Sequence, residues 1–274
     1  MMIILICLCI LLMIIWYRDT RIVKRHDIKY HVSSLKRPLR LVQLTDLHGH
    51  MFKGKLDTLF NLIKNDTPDL IVLTGDMIDR HTTHIDETVR LIQKLTTLAP
   101  VYAVLGNHEV GHPKQAVYLD QLIKIGVTTL INSHVVLDWH DRPIQIVGVN
   151  DHSSEQANLL EAFSGVTHAS FTILLSHSPS IVDDLTTEPA QLILCGHTHG
   201  GQIRLPLIGA IISPGEGIFP KRTKGMFNLS SERALYIDSG LGMSRLPIRL
   251  FNQSQYAFFY LGDERNCAEK PLIK

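Results

Sequence analysis

From residue 39 onward, short apolar runs alternate with segments whose apolar residues recur at helical spacing. Residues 39–45 predict a buried strand, 54–65 predict an amphipathic helix, and 69–74 predict the next strand. A repeated order of strand, helix and strand is typical of α/β layering, in which helices cover a sheet of largely parallel strands. This alternation restricts the fold class more than any single residue does.

The same pattern continues along the chain and contains more strands than one small sheet holds comfortably. Helices are predicted over 85–98 and 113–125, and strands over 101–105, 127–131, 135–138, 143–149, 171–175, 192–195, 234–237 and 256–261. We therefore predict an α/β fold in which two packed mixed β-sheets are flanked by helices.

Length, charge and cysteine usage limit what such a domain can do. A chain of 274 residues is long enough to bury one large core. Its net charge is +1 and it has no long basic run, so it lacks the electrostatic surface expected of a nucleic-acid-binding protein. The four cysteines show no pairing pattern, which fits reduced thiols.

The N-terminal segment departs from this pattern, because residues 1–17 carry no charged side chain. We predict an uncleaved membrane anchor, since neither the basic start nor the small-residue cleavage site of a secretory signal is present. Residues 18–37 are predicted to form a basic linker and the first strand, and their cations favour the cytoplasmic side of the membrane for the domain that follows. The alternatives are a cleaved signal, with export of the domain, or a peripheral hydrophobic helix.

Polar residues of the types that bind metal ions come directly after five of the predicted strands. They are Asp46 with His48, Asp76, Asn107 with His108 and Glu109, His177, and His197 with His199. In open α/β sheets, sites form in the crevice beyond the carboxyl ends of the strands, so these side chains can converge. Carboxylate, imidazole and amide groups without a thiolate cluster favour Mn, Fe, Zn or Co, and the set is too large for one ion.

Taken together and in this order, the strand-end motifs resemble the calcineurin-like metallophosphoesterase superfamily. The motifs are DLH at 46–48, GD at 75–76, GNHE at 106–109, the single His177 and GHTHGGQ at 196–202. The GHTHGGQ form is similar to the bacterial membrane-associated phosphodiesterase branch of that superfamily. The resemblance implies a four-layer α-β-β-α catalytic domain over 38–263, a polar tail at 264–274, and two divalent metal ions, of which Mn is favoured.

The resemblance also implies a role for each ligand-type residue. Asp46, His48 and His199 would bind one ion, and Asp76 would bridge it to the second. The second ion would be bound by Asn107, His177 and His197. Two ions about 3.5–4 Å apart can hold a shared hydroxide, which is the nucleophile we expect. Considered singly, a strand-end Asp or Asn is more often a turn residue or a helix cap.

Three further residues are implied to act on the substrate or on one another. His108 would face the leaving oxygen and donate a proton or stabilise charge, Asp79 would orient His108, and Arg80 would contact the phosphate. Each has an alternative, since Asp79 could cap the next helix and Arg80 could be an ordinary surface cation. Glu109 is interpreted as a turn or supporting residue.

The segment after GHTHGGQ is a candidate substrate-binding region. Residues 205–219 are rich in apolar residues, Gly and Pro, and the cations predicted to bind substrate are Arg204, Lys221, Arg222 and Arg245. Near a membrane anchor, this composition would suit acyl chains with a phosphate head group. The alternative is that the apolar residues pack beneath a long loop.

The leading hypothesis is a phosphodiesterase or pyrophosphatase that acts at the bacterial inner membrane on a lipid- or nucleotide-linked phosphate. UDP-diacylglucosamine, cleaved by a pyrophosphatase of lipid A synthesis, is one concrete candidate that the resemblance offers. The alternatives are a phosphomonoesterase or phosphoprotein phosphatase, and a non-catalytic metal- or phosphate-binding membrane module. The expected partners are the substrate and the membrane, and neither a nucleic acid nor a protein partner is inferred.

Overall fold

A computed structural model describes residues 1–48, 56–83, 85–140, 142–213, 217–218, 220–243 and 248–263. The α-helices are α1 (Met2–Arg21), α2 (Leu56–Asp66), α3 (Asp86–Thr96), α4 (Asn107–Val110), α5 (Gln115–Lys124) and α6 (Leu159–Ala162). The strands are β1 (Lys24–His31), β2 (Leu39–Leu44), β3 (Leu70–Thr74), β4 (Val101–Val104), β5 (Thr128–Thr129), β6 (Ser133–Trp139), β7 (Arg142–Gly148), β8 (Phe171–Leu175), β9 (Leu192–Cys195), β10 (Arg204–Leu205), β11 (Gly209–Ala210), β12 (Ile212–Ser213), β13 (Gly217–Ile218), β14 (Gly225–Asn228), β15 (Ala234–Ile237) and β16 (Gln255–Gly262).

Two six-stranded mixed sheets form the centre of the molecule, as predicted. The first has the order β1-β16-β2-β3-β4-β5, and the second has the order β14-β15-β9-β8-β7-β6. Within the first sheet β2, β3 and β4 are parallel, and within the second β7, β8, β9 and β15 are parallel. The carboxyl ends of several neighbouring strands therefore lie at one edge of each sheet.

Apolar side chains alternate between the two faces of each central strand and so join four layers. On β2, Val42 and Leu44 pack in the cluster shared with helices α2, α3 and α5, whereas Leu41 packs between the sheets. A third cluster covers the outer face of the second sheet and includes Leu174 and Ile193. The four-layer α-β-β-α arrangement is thus confirmed, and it results from the period-2 alternation of the strand residues.

Several short strands in the C-terminal half of the chain form pairs that the periodicity of the sequence does not predict. Segment 204–218 forms two short antiparallel pairs, β10 with β11 and β12 with β13. Two-residue strands are too short for an alternating pattern to register. Strand β5 is shorter than the strand predicted over 127–131, because only two of these residues pair with β4.

Helix α1 is one continuous helix whose last turn packs into the domain. It is long and apolar enough to cross a membrane, by length and composition. Its side chains are exposed up to Arg18, apart from the partly buried Ile15, whereas Asp19 and Thr20 are buried. The backbone carbonyl of Asp19 accepts a hydrogen bond from the Ser254 N–H at 2.8 Å. The helix therefore reaches the domain without an intervening irregular segment, and β1 begins shortly after it ends.

Candidate metal centre

The ligand-type residues of both sheets meet where the strands end. Asp46 and His48 follow β2, Asp76 follows β3, and Asn107 opens α4 after β4; His177 follows β8, and His197 and His199 follow β9. The two sheets are tied together here by Gln43, whose amide nitrogen donates to the Cys195 carbonyl at 3.0 Å and to Thr74 Oγ1 at 2.9 Å. One cleft thus receives side chains from five strand ends.

The first group consists of Asp46, His48 and His199, all buried. His48 Nε2 lies 3.0 Å from His199 Nε2, and His199 Nε2 lies 3.5 Å from Asp46 Oδ1. Burial lowers the pKa of His199 well below its ordinary value, so its ring is neutral and offers a lone pair. Two ring nitrogens facing each other beside a carboxylate fit a cation placed between them.

The second group consists of Asp76, Asn107, His177 and His197. His197 Nδ1 lies 3.1 Å from Asn107 Oδ1 and 3.2 Å from His177 Nε2, and His177 Nε2 lies 3.1 Å from Asp76 Oδ2. Burial lowers the pKa of His197 to about 4, so this ring is also neutral. His177 Nδ1 lies 2.8 Å from the Thr74 carbonyl and donates to it, which leaves Nε2 directed at Asp76.

Asp76 lies between the two groups. Its Oδ2 is 3.1 Å from His177 Nε2 in the second group and 3.8 Å from His48 Nε2 in the first. Burial would raise the pKa of Asp76, but the neighbouring His177 holds that pKa well below its usual range, so the group is a carboxylate. The donor set therefore fits two divalent ions with Asp76 in the bridging position, and the ligand roles remain a prediction.

Five of these seven residues adopt left-handed backbone conformations, which are uncommon for residues other than glycine. Their φ angles are 53° at Asp46, 53° at His48, 52° at Asp76, 72° at His197 and 49° at His199. Hydrogen bonds between the loops hold this geometry, including Asp46 N–H to the Gly75 carbonyl and His48 N–H to the Asp76 carbonyl, each 3.0 Å. Such strain persists where the surrounding structure fixes it, and it is concentrated at functional sites.

Glu109 organises two of the ligand loops. Its side chain is buried and accepts four backbone N–H groups, with Oε2 bound by Asp76 at 2.7 Å and Gly106 at 2.9 Å, and Oε1 by Met77 at 2.6 Å and Ile78 at 3.1 Å. Burial and the charge of Asp76 raise the pKa of Glu109 to about 8, while the N–H donors favour its carboxylate form. The interpretation of Glu109 as a supporting residue agrees with this position.

His108, Asp79 and Arg80 lie together at the rim. Asp79 Oδ2 is 3.0 Å from His108 Nδ1 and 3.5 Å from His48 Nδ1, so one carboxylate faces both rings. The opposite nitrogen of His108, Nε2, lies 4.0 Å from Asp76 Oδ2 and faces the ligand cleft. Asp79 does not cap α3, whose N-cap is Ile85, and its Oδ1 instead accepts the His81 N–H at 2.8 Å. Arg80 is exposed, and its Nη2 donates to the Asn107 carbonyl at 3.1 Å.

The cations predicted to bind substrate occupy different positions. Arg204 Nη1 donates to the Gly200 carbonyl at 2.9 Å and to Thr223 Oγ1 at 3.0 Å, so its guanidinium supports the GHTHGGQ turn. Arg222 pairs with Asp183 at 2.9 Å, and Lys221 is exposed. Arg245 lies outside the described residues. A substrate contact stays a prediction for each of the four.

Two residues that support the site were not identified from the sequence. The Asn252 amide donates to the His199 carbonyl at 2.7 Å, and Arg249, which is fully buried, donates to the Ser239 carbonyl at 2.6 Å and to the Gly242 carbonyl. The Gly242 N–H in turn donates to the Asp46 carbonyl at 2.6 Å. Neither residue belongs to a strand-end motif, so no local signal distinguishes them from surface residues.

The comparisons with known proteins agree with this geometry. Residues 39–201 match the family model described as calcineurin-like phosphoesterase. The chain is 34% identical to a protein of Bacillus subtilis described as an uncharacterized metallophosphoesterase, YkuE, over 81% of this chain and 78% of that protein. It is 31% identical to the phosphodiesterase YaeI of Escherichia coli, over 80% of each chain.

A solved structure shows the same fold at low sequence identity. The crystal structure of TT1561 from Thermus thermophilus superposes with a TM-score of 0.51 at 12% identity, and the match covers 75% of this chain and 92% of that one. The family model covers more than half of the chain, and its span contains all seven ligand-type residues. The chain belongs to the calcineurin-like phosphoesterase family and is a metal-dependent phosphoester hydrolase.

Proposed function

We propose that the chain hydrolyses a phosphodiester or pyrophosphate bond with two divalent metal ions, on a lipid- or nucleotide-linked phosphate at a membrane surface. The observation that carries the proposal is the position of Asp76, whose Oδ2 lies within 3.1 Å of His177 Nε2 and 3.8 Å of His48 Nε2. A carboxylate oxygen between two ligand groups is the arrangement that bridging of two cations requires.

The two groups of residues on either side of Asp76 would each hold one ion. Asp46, His48 and His199 would hold the first, and the second would be held by Asn107, His177 and His197. When bound, two divalent ions supply a nucleophilic hydroxide and neutralise charge on the phosphoryl group. The chain fixes the ligand orientations through hydrogen bonds behind them, such as the His197 N–H to the Asp46 carboxylate at 3.1 Å.

His108 is the residue we assign to the leaving group. The Arg80 N–H donates to His108 Nδ1 at 3.1 Å, so this nitrogen is an acceptor, a neutral ring carries its proton on Nε2, and Nε2 faces the cleft. In its protonated form Nε2 would donate a proton to the departing oxygen. Burial lowers the pKa of His108, and the carboxylate of Asp79, 3.0 Å from Nδ1, opposes this by favouring positive charge on the ring, so we assign Asp79 as its positioning residue.

Two observations support a substrate at the membrane. Helix α1 is long and apolar enough to span a bilayer, and its last turn carries Arg18 and Arg21, which favours the cytoplasmic side for the domain. Leu207 and Ile208, in the segment after GHTHGGQ, are exposed rather than packed beneath a loop. The similarity to a protein named a phosphodiesterase favours a diester over a monoester.

The test compares hydrolysis of bis(p-nitrophenyl) phosphate and p-nitrophenyl phosphate by the full-length protein with added Mn. We expect the diester to be the better substrate. Asp76→Ala should abolish turnover, because the bridging ligand is lost, and His108→Ala should lower kcat by about 100-fold or more. His168→Ala, at an exposed histidine away from the strand ends, is the matched control and should retain activity.

The outcomes separate the competing functions. Faster turnover of the monoester would contradict the proposal and favour a phosphomonoesterase. A metal-loaded protein that hydrolyses neither compound would favour the non-catalytic binding module.

UDP-diacylglucosamine is the concrete substrate to test next. Cleavage of its pyrophosphate by the wild-type protein in detergent micelles should release UMP, and Asp76→Ala should not. Turnover of the chromogenic diester without release of UMP would retain the phosphodiesterase proposal and remove this candidate.

A further inference from the structure

The short hairpin that comes after the metal-centre turn exposes apolar side chains at its tip. Strands β10 and β11 pair Leu205 with Gly209, and the turn between them carries Leu207, whose exposed fraction is 107%, and Ile208, at 63%. Leu207 also has a left-handed φ of 71°, which is rare for a branched side chain. Removing such exposed apolar side chains from water is favourable, so the tip is suited to an apolar environment.

A second exposed apolar group adjoins this hairpin. Phe251 has an exposed fraction of 38%, and an open pocket of about 410 Å³ lies between its ring and the hairpin. The segment that carries Phe251 is attached to the base of the hairpin, because Arg204 N–H donates to the Leu250 carbonyl at 3.0 Å and Leu250 N–H to the Gln202 carbonyl at 3.2 Å. Leu207, Ile208 and Phe251 therefore belong to one apolar surface.

The same segment is attached on its other side to the last turn of α1. The Asn252 N–H donates to Asp19 Oδ2 at 2.9 Å, and the Arg249 N–H donates to Thr20 Oγ1 at 3.3 Å. One residue separates Leu250 from Asn252 in the sequence, so the attachments to the hairpin and to α1 are at most about 7 Å apart along the chain. Segment 249–252 thus connects the apolar surface to the end of the apolar helix.

The composition of α1 fixes the level of the membrane surface relative to these contacts. Trp16 and Tyr17 are exposed aromatics of the kind found at the bilayer interface, and they lie within one turn of Asp19. Since Asp19 is bonded to Asn252, the adjacent Phe251 lies near that level. Both bonds of Asp19 to segment 252–254 are buried, which prevents the domain from swinging freely about the end of the helix.

We propose that the tip of the β10–β11 hairpin, with Phe251, is a second membrane-contact surface, which inserts Leu207 and Ile208 into the same lipid leaflet that α1 enters. The proposal rests on the membrane-surface part of the proposed function and is independent of the bond that is cleaved. Arg204, at the start of the hairpin, donates to the Gly200 carbonyl, so the hairpin adjoins the GHTHGGQ turn. A lipid surface at the hairpin would therefore meet the rim of the metal centre. The hairpin would hold the cleft against the lipid, where a lipid-linked phosphate enters.

Fluorescence quenching by lipid tests this contact. The full chain carrying Trp16→Phe and Trp139→Phe, which removes both of its tryptophans, is reconstituted in vesicles of phosphatidylcholine and phosphatidylglycerol, with or without bromine-labelled phosphatidylcholine. Leu207→Trp then reports on the hairpin. The matched control is Leu160→Trp, because Leu160 is 89% exposed on α6, which packs beside β6 at the edge of the second sheet opposite β14.

We expect the tryptophan at 207 to emit at shorter wavelength in vesicles and to be quenched at least about twofold more by the bromolipid than the tryptophan at 160. Equal quenching at the two positions in protein that co-floats with the vesicles would overturn the membrane contact and leave the anchor intact. Protein that does not co-float would overturn the anchor and the contact together. Neither failure would affect diester hydrolysis in detergent, which tests the chemistry separately.

Discussion

At the level of single residues, the metal centre depends on groups that never contact an ion. Gly196 shows this most clearly, because a Cβ at this position would lie 2.0 Å from Thr45 Oγ1 and 2.4 Å from Asp46 Oδ2. Its role is to admit the carboxylate of Asp46, which follows a different strand. Glu109 has a similar supporting role through the backbone of the neighbouring loop.

Replacing Glu109 by Gln should damage the centre while preserving the size of the side chain. Each carboxylate oxygen accepts two backbone N–H groups. In glutamine one of these oxygens is replaced by NH₂, so two of the backbone N–H groups would face another donor and lose their acceptor. We expect Mn affinity or kcat/KM for the chromogenic diester to fall by about 10–100-fold. Glu232→Gln, at an exposed glutamate, is the control. Unchanged activity and Mn affinity in Glu109→Gln would show that the loops hold their geometry without it.

The burial of Lys224 makes the free energy of unfolding depend on pH, and it also sets the direction of that dependence. Burial lowers its pKa to about 8, from an ordinary value of 10.5, and its Nζ donates to Asn252 Oδ1 at 3.2 Å. Between these two pH values the unfolded chain binds more protons at this site than the folded chain does. The contribution of Lys224 to the free energy of unfolding therefore increases as pH rises from about 8 to 10.5.

Urea unfolding of the wild type and of Lys224→Met in detergent measures this effect. The free energy of unfolding of the wild type, relative to the variant, should be constant from about pH 6 to 7 and should increase from about pH 8 to 10. A relative free energy that stays flat or declines over the upper range would show that Lys224 keeps its proton in the folded state.

At the level of elements, the site is built by loops after strands and is supported by one segment far along the chain. Segment 249–254 contacts the last turn of α1 through Asp19, the GHTHGGQ turn through His199, and the base of the hairpin through Arg204. One irregular segment thus connects the apolar helix, a predicted metal ligand and the exposed hairpin. A substitution in this segment is therefore expected to affect all three.

Asn252→Asp tests this connection with an isosteric change. The side-chain amide donates to the His199 carbonyl at 2.7 Å, and a carboxylate oxygen there would face the carbonyl without a hydrogen bond. We expect a displaced His199 and about 10-fold weaker Mn binding, measured by titration against activity. The same change at the exposed Asn65, Asn65→Asp, should have no effect. Normal Mn binding in Asn252→Asp would mean that His199 is held by its other contacts.

At the level of the whole molecule, the metal centre joins the two sheets. The first sheet supplies Asp46, His48, Asp76 and Asn107, and the second supplies the other three ligand-type residues. A metal ion bound by residues of both sheets would be lost when the sheets separate, so binding favours the folded state. Metal binding and global stability are therefore expected to be coupled.

Removing metal should lower the melting temperature of the full-length protein in detergent. A metal present at about 100 times its Kd stabilises by about 2.7 kcal/mol, which corresponds to roughly 5–10 °C for a domain of this size. We expect differential scanning fluorimetry to show such a rise when Mn is added after chelation. Asp76→Asn should lose most of the rise. An equal rise in both proteins would place the stabilising ion elsewhere.

The sequence by itself determined the layers of the fold and the location of its site. Strands that are almost entirely apolar, such as β3, and amphipathic helices such as α2 carry their burial pattern locally, so the two-sheet sandwich could be predicted. The strand-end motifs, including GHTHGGQ, similarly predicted the residues that converge, because the carboxyl ends of parallel strands share an edge. The order of these motifs also indicated the family.

Only the tertiary structure decided how the convergence is held. The left-handed backbone of Asp46 and His199, the four N–H groups on Glu109, and the bonds of Asn252 to Asp19 and His199 all join residues from separate parts of the chain. The connection of the exposed hairpin to the end of α1 through segment 249–254 likewise depends on contacts between distant parts of the chain. Hydrogen bonds and exposure depend on which segments meet in three dimensions, and local periodicity carries no information about that pairing.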